Sequence, residues 1–200
     1  AGLIKLSGWD FKSDFIDPFC GSGTILVEAA LMARNIYPGV FRKKFGFENW
    51  KDFDPELLQE IYDDDTQERA FDHKIYGYDL NLRAIEAADA NVKAAGVSDI
   101  VTLEQRDFQK FEQPAEKAIM VTNPPYGERL KPEDLTGLYQ MFGKTLKHSF
   151  CGNEAWIISY KEECFEAIGL KPSFKIPLYN GALDCEFRKY QLFDGKLNAF

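Results

Sequence analysis

The sequence predicts an α/β protein: a doubly wound, mostly parallel seven-stranded sheet with an antiparallel C-terminal hairpin strand. Three observations lead there. Short apolar runs alternate with helical patterns along most of the 200 residues, as βα units stacked into a parallel sheet would require. Glycines gather where the first run meets the first helix, in Asp17-Pro18-Phe19-Cys20-Gly21-Ser22-Gly23-Thr24, and glycines there permit a tight bend close to a ligand. The C-terminal stretch alternates about Asn180-Gly181, a pair that favours the two-residue turn of a hairpin.

The elements follow in order. Residues 13–17 (SDFID) read as the first strand and 24–34 (TILVEAALMAR) as the helix after it. A second strand is expected over 74–78, and a helix over 82–95 stopped by Gly96. Further strands are expected over 100–104, 117–122 and 154–159, with helices over 134–149 and 162–168. Residues 35–73 interrupt this rhythm, separating a helix from the next strand by far more than an ordinary loop. They carry FGFENW and DPELLQEIYDDDTQER, which suggests a packed decoration with one short helix, or an RNA-contacting surface. In a βα unit such an insertion lies opposite the ligand-binding edge.

Composition narrows the class. With 45% hydrophobic residues the chain can build a core. Cysteines at 20, 151, 164 and 185 form no CxxC pair, and His73 and His148 are the only histidines, so neither a metal site nor a disulfide framework is expected. No apolar run is long enough for a membrane span and no signal peptide opens the chain; a cytoplasmic protein is expected. The chain starts at Ala1 inside an amphipathic-looking run, as in a single domain (1–200) cut from a longer protein. Net charge is −8, whereas a domain that grips nucleic acid unaided is usually basic.

The strand ends carry the chemistry. A dinucleotide fingerprint needs a third glycine where this chain has Leu26, which disfavours a pyrophosphate and a nicotinamide oxidoreductase. The Asp17 carboxylate beside the turn suits a cationic amino group, as on a methionine moiety. Cys20 reads as a small lining residue rather than a nucleophile. At the second strand end, Asp79-Leu80 places an acid suited to ribose hydroxyls, and Asp79 also reads as an N-cap for the helix from Leu82. At the third, Asp107 can accept from an adenine amino group and Phe108 can stack. Adenosine plus methionine is S-adenosylmethionine.

The fourth strand ends in Asn123-Pro124-Pro125-Tyr126-Gly127. A base's exocyclic amine is a poor nucleophile because its lone pair is delocalised into the ring. The Asn123 amide oxygen and the Pro124 carbonyl can accept its two N–H groups and localise that pair. The prolines stiffen the loop, Tyr126 offers a face for an unstacked base, and Gly127 lets the chain turn away.

Together DPFCGSGTILVEAA, PGVFRKKFGFENW, YGYDLNLRAIEAADANVKAAG and VTNPPYGERL resemble the bacterial guanine-N2 methyltransferases of large-subunit ribosomal RNA, relatives often labelled N6-adenine-specific DNA methylases. LYQMFGKTLK and NGALDCEFRKY extend the likeness along the chain. The resemblance implies a class I, Rossmann-like methyltransferase using S-adenosylmethionine and no metal. It implies cofactor roles for Asp17, Gly21, Gly23, Asp79 and Asp107, and target-amine roles for Asn123, Pro124 and Tyr126. Pro18, Cys20, Ser22, Thr24, Leu80, Phe108 and Asn123 join the cofactor candidates; Pro125 and Gly127 join Tyr126 on the substrate side. Ribosomal RNA would dock mainly through an N-terminal RNA-binding THUMP domain that such relatives carry and this chain lacks. Adenine N6 or a protein glutamine amide are the alternative acceptors, and a non-catalytic binding module a remote one.

Overall fold

A computed structural model of the chain describes residues 1–37, 39–125 and 132–193. Tyr126 and Gly127 lie outside the described residues. Seven strands form one sheet: β1 (Asp14–Asp17), β2 (Ile75–Asp79), β3 (Val101–Gln105), β4 (Ala118–Thr122), β5 (Glu154–Ser159), β6 (Phe174–Asn180) and β7 (Leu183–Gln191). Their order is β3-β2-β1-β4-β5-β7-β6. The first five run parallel, and β7 pairs antiparallel with both β5 and β6. The expected hairpin is present, turning at Gly181 with φ 62°.

The helices are α1 (Gly2–Ser7), α2 (Thr24–Arg34), α3 (Pro55–Asp63), α4 (Leu82–Ala94), α5 (Pro132–Ser149) and α6 (Glu162–Ile168). Alternation along the central strands buries both sheet faces. Phe15, Ile119, Val121, Trp156 and Ile158 face a core shared with α2 and α4. Ile16, Ala118, Met120, Ala155 and Ile157 face a second core shared with α5 and α6. The crossover from β3 to β4 has only a 3₁₀ turn at Phe108–Lys110; Phe108 and Phe111 fill the layer against Phe142 and Phe150.

The α5–α6 contact is very close. A Cβ on Gly143 would lie 1.9 Å from the Ile168 carbonyl oxygen. Gly143→Ala is therefore expected to cost about 2 kcal/mol or more, lowering the urea midpoint. Gly137, on the same helix, has nothing near its absent Cβ. Gly137→Ala should raise the midpoint, by up to about 1 kcal/mol from helix propensity alone. Equal effects of the two in urea unfolding would contradict this packing.

The 35–73 insertion holds α3 and a 3₁₀ turn at Gly46–Asn49. Asp54 caps α3 by accepting from the Glu56 and Leu57 N–H groups at 3.0 and 3.1 Å. Phe45 stacks on Phe47, and Trp50 stays 69% exposed. The segment leaves from the end of α2 and rejoins at the start of β2, which is the sheet's amino edge. Arg69 secures it: its Nε and Nη2 donate to the Ala33 and Met32 carbonyls at 2.7 and 3.1 Å. The guanidinium thus satisfies the Ala33 carbonyl near the end of α2 and adds a second donor to that of Met32, which also accepts from the Asn35 N–H.

Two local expectations are corrected. The N-cap of α4 is Asn81, whose side-chain oxygen accepts from the Arg83 N–H at 3.0 Å; Asp79 is still within β2 and points elsewhere. Phe108 is 4% exposed and packed among Phe19, Phe111 and Phe142, so its ring has no open face on which a base could stack.

Candidate functional site

The chain runs outward from β1 to β3 and then returns to start β4 on β1's other side. Ligands of open α/β sheets bind where the order reverses, at the carboxyl ends of the strands. Here that crevice separates the ends of β1 and β4, Asp17 and Thr122. The glycine turn follows one, and Asn123 follows the other.

The turn is built by left-handed glycines, Gly21 at φ 53° and Gly23 at φ 79°. A Cβ on Gly23 would lie 3.1 Å from that of Ala88 on α4. At Gly21 it would meet nothing within 4 Å, so this side of the turn is open. Leu26 is fully buried, and a Cβ on Gly77 would lie 2.2 Å from its Cδ1. The close helix–strand approach that a third turn glycine gives a dinucleotide fold is here supplied by a glycine on β2.

The turn is also tied to β2. The Cys20 N–H donates to the Tyr78 carbonyl at 2.9 Å, and the Gly21 N–H to Asp79 Oδ2 at 3.1 Å. Asp79 Oδ1 accepts from the Asn81 N–H at 2.8 Å. A carboxylate has about four acceptor positions, so each oxygen can still receive a hydroxyl. Beside it Leu80 is 67% exposed. Cys20 is buried, and burial, then the charges of Asp17 and Asp79, push its thiol well above the usual range; it is an inert lining group. Pro18 is buried, while Ser22 and Thr24 are exposed at the start of α2. Asp107, half-buried, accepts from the Gln109 N–H at 2.9 Å.

Asp17, beside the turn, is only 1% exposed. Its Oδ1 accepts from the Thr122 hydroxyl at 2.6 Å and from the Phe19 N–H at 3.2 Å. Burial raises its pKa to about 7, against these two bonds and with help from the Asp79 charge. Thr122 is a residue the sequence alone did not single out. It links the ends of β1 and β4, immediately before Asn123. Pro124 is buried, whereas Asn123 and Pro125 are exposed. Asn123 is thus an exposed residue directly after the buried Thr122.

Comparisons with known proteins agree with this arrangement. A family model described as "RMKL-like, methyltransferase domain" matches residues 1–189. The ribosomal RNA large subunit methyltransferase K/L of Vibrio campbellii is 39% identical over 200 residues, covering 96% of this chain and 28% of that protein. The chain therefore spans little more than a quarter of the length of that curated relative. Among solved structures, the methyltransferase SMU.472, crystallised with SAH, is 32% identical with TM-score 0.88, over 97% of this chain and 52% of its own. A Listeria monocytogenes protein described as an N6-adenine-specific DNA methylase is 31% identical with TM-score 0.85, over 96% and 50%. With nearly its whole length matched and the strand-end geometry in place, the chain belongs to the RMKL-like methyltransferase-domain family.

Proposed function

We propose that this chain transfers a methyl group from S-adenosylmethionine to an exocyclic amine, guanine N2 of large-subunit ribosomal RNA. The observation that carries this reading is the exposed Asn123 at the switch point, one residue beyond the Thr122–Asp17 bridge. The cofactor reading is supported by SMU.472, which holds SAH on the same fold, and by the turn itself. The open side of Gly21 leaves room for a ligand to approach the backbone. Asp17, once ionised, complements an ammonium group, the Asp79 oxygens have capacity for ribose hydroxyls, and Asp107 and Leu80 flank the adenine side. When bound, the cofactor supplies a methyl group already activated on a sulfonium.

The chain's own groups then orient the acceptor. The Asn123 amide oxygen and the Pro124 carbonyl accept the two amine N–H groups, which localises the nitrogen lone pair and aims it at the methyl. These dipoles are fixed in place before charge moves. No strong base is needed, because the amine proton becomes acidic only as the new bond forms. Ribosomal RNA as substrate is supported by the name of the Vibrio relative. The acidic net charge of −8 makes a separate RNA-docking module the natural source of affinity.

The test is product identity. The protein is incubated in excess with deproteinised large-subunit RNA and deuterated-methyl cofactor, and the RNA is digested to nucleosides for mass spectrometry. Labelled N2-methylguanosine is expected. Labelled N6-methyladenosine, or label only in protein, would replace guanine with one of the other two acceptors.

A further inference from the structure

Beyond the switch point, on the β5 side, lies a cleft of about 610 Å³ lined by Leu135, Thr136 and residues 160–164. Its position follows from register. Thr122 on β4 pairs with Ile157 on β5, so Asn123 and Pro124 run beside Ile158 and Ser159. Tyr160 and Lys161 come next, at the same carboxyl edge. Thr136 and Leu135 enter from the first turns of α5. The volume is within the range of pockets that enclose a small ligand, and the cleft opens at the same carboxyl edge of the sheet that Asn123 follows.

The lining chemistry is specific. Lys161 Nζ lies 5.4 Å from the Tyr160 ring centroid, and both side chains are half-buried. Glu162 is committed elsewhere: Arg188 of β7 pairs with it and holds its carboxyl below the usual range. Glu163, next in the chain, is exposed and lines the cleft. Burial raises the Cys164 thiol above its ordinary value, so it serves as an apolar wall. The cleft therefore offers one ammonium donor and, beside the Arg188-paired Glu162, a second carboxylate in Glu163, with Tyr160, whose ring also packs against the α2–α4 core, on its lining.

We propose that this cleft is the acceptor-base subsite and that Lys161 and Glu163 make it select guanine over adenine. The assignment rests on the methyl-transfer reading above. Guanine presents O6 and N7 as acceptors and N1–H as a donor; lysine suits the first pair and a carboxylate the second. Adenine reverses the pattern, placing its N6 amino donors toward the ammonium and its N1 lone pair toward the carboxylate. Tyr160 supplies stacking that any base can use.

Titration with mononucleotides tests this. With SAH saturating, GMP and IMP (which lacks the 2-amino group but keeps O6 and N1–H) should bind about tenfold tighter than AMP, the size of one good base contact. Glu163→Ala and Lys161→Met should each shrink that preference to about threefold or less, with SAH affinity within about twofold as evidence of an intact fold. Tyr160→Leu should weaken all three nucleotides alike. Equal affinity for GMP and AMP, failure of GMP to bind, or a preference unchanged in both charge variants would overturn the assignment. Production of N2-methylguanosine alongside any of those results would leave the methyl-transfer reading standing without this subsite.

Discussion

Asn123→Ala is expected to reduce kcat by roughly a thousandfold while changing S-adenosylmethionine affinity by no more than about twofold. The substitution removes one of two acceptors that act on the amine as charge moves, and removing one preorganised polar group of this kind costs about 10²–10³ in rate. Because Asn123 is an exposed residue, its truncation leaves no cavity in the core. Stability should therefore stay within about 0.5 kcal/mol, as for ordinary surface changes. Calorimetric titration with cofactor and single-turnover methylation separate the two effects. Turnover at the wild-type rate would remove Asn123 from the chemistry, and a large loss of cofactor affinity would make it a binding residue instead.

Asp17→Asn should make the cofactor-free protein more stable and bind the cofactor more weakly. Asp17 has a pKa raised from 3.8 to about 7, first by burial. Below pH 3.8 the group is protonated whether the chain is folded or not. As pH rises from there to about 7, the unfolded chain releases that proton and the folded one keeps it. Stability from this group is thus full in acid, falls through the window and levels off above about pH 7. At about 1.4 kcal/mol per unit the total is on the order of 4 kcal/mol. An asparagine keeps the oxygen that accepts from Thr122 but cannot ionise. Its advantage over wild type should be near zero at pH 3.5 and reach a few kcal/mol at pH 8, read by urea unfolding. Wild-type cofactor affinity should climb through about pH 7 as the carboxylate ionises, whereas the variant's should be weaker by at least about tenfold and flat with pH. Equal unfolding midpoints at pH 8 would refute the buried acid; unchanged affinity would refute its role toward the ammonium.

These two residues were visible in the sequence because each follows an apolar run at a punctuated strand end. The same logic located the first five strands to within a residue or so and the closing hairpin at Asn180-Gly181. What escaped detection depends on distance across the fold. Thr122 looked like the last residue of a strand; its importance appears only when β4 lies beside β1 and its hydroxyl reaches Asp17. Phe108 next to an acid suggested a stacking ring, but the short β3–β4 crossover has no helix to cover the sheet, so the ring covers it instead. Asp79 read as the cap of the next helix, but the acid still ends the strand and the Asn81 amide begins the helix. The helix Gly2–Ser7 is barely two turns long, too short for a periodic signal, and is recognisable mainly by the left-handed Gly8 that closes it.

The exchange of roles between Leu26 and Gly77 has an evolutionary consequence. A drift toward dinucleotide binding would need a glycine in the helix, which alone would hollow out a filled part of the core. Any side chain at the strand position, arriving first, would strike Leu26. Either step alone costs packing, and a side chain at residue 77 would also come within 2.8 Å of Leu103, so the route between the two ligand classes runs uphill from either end.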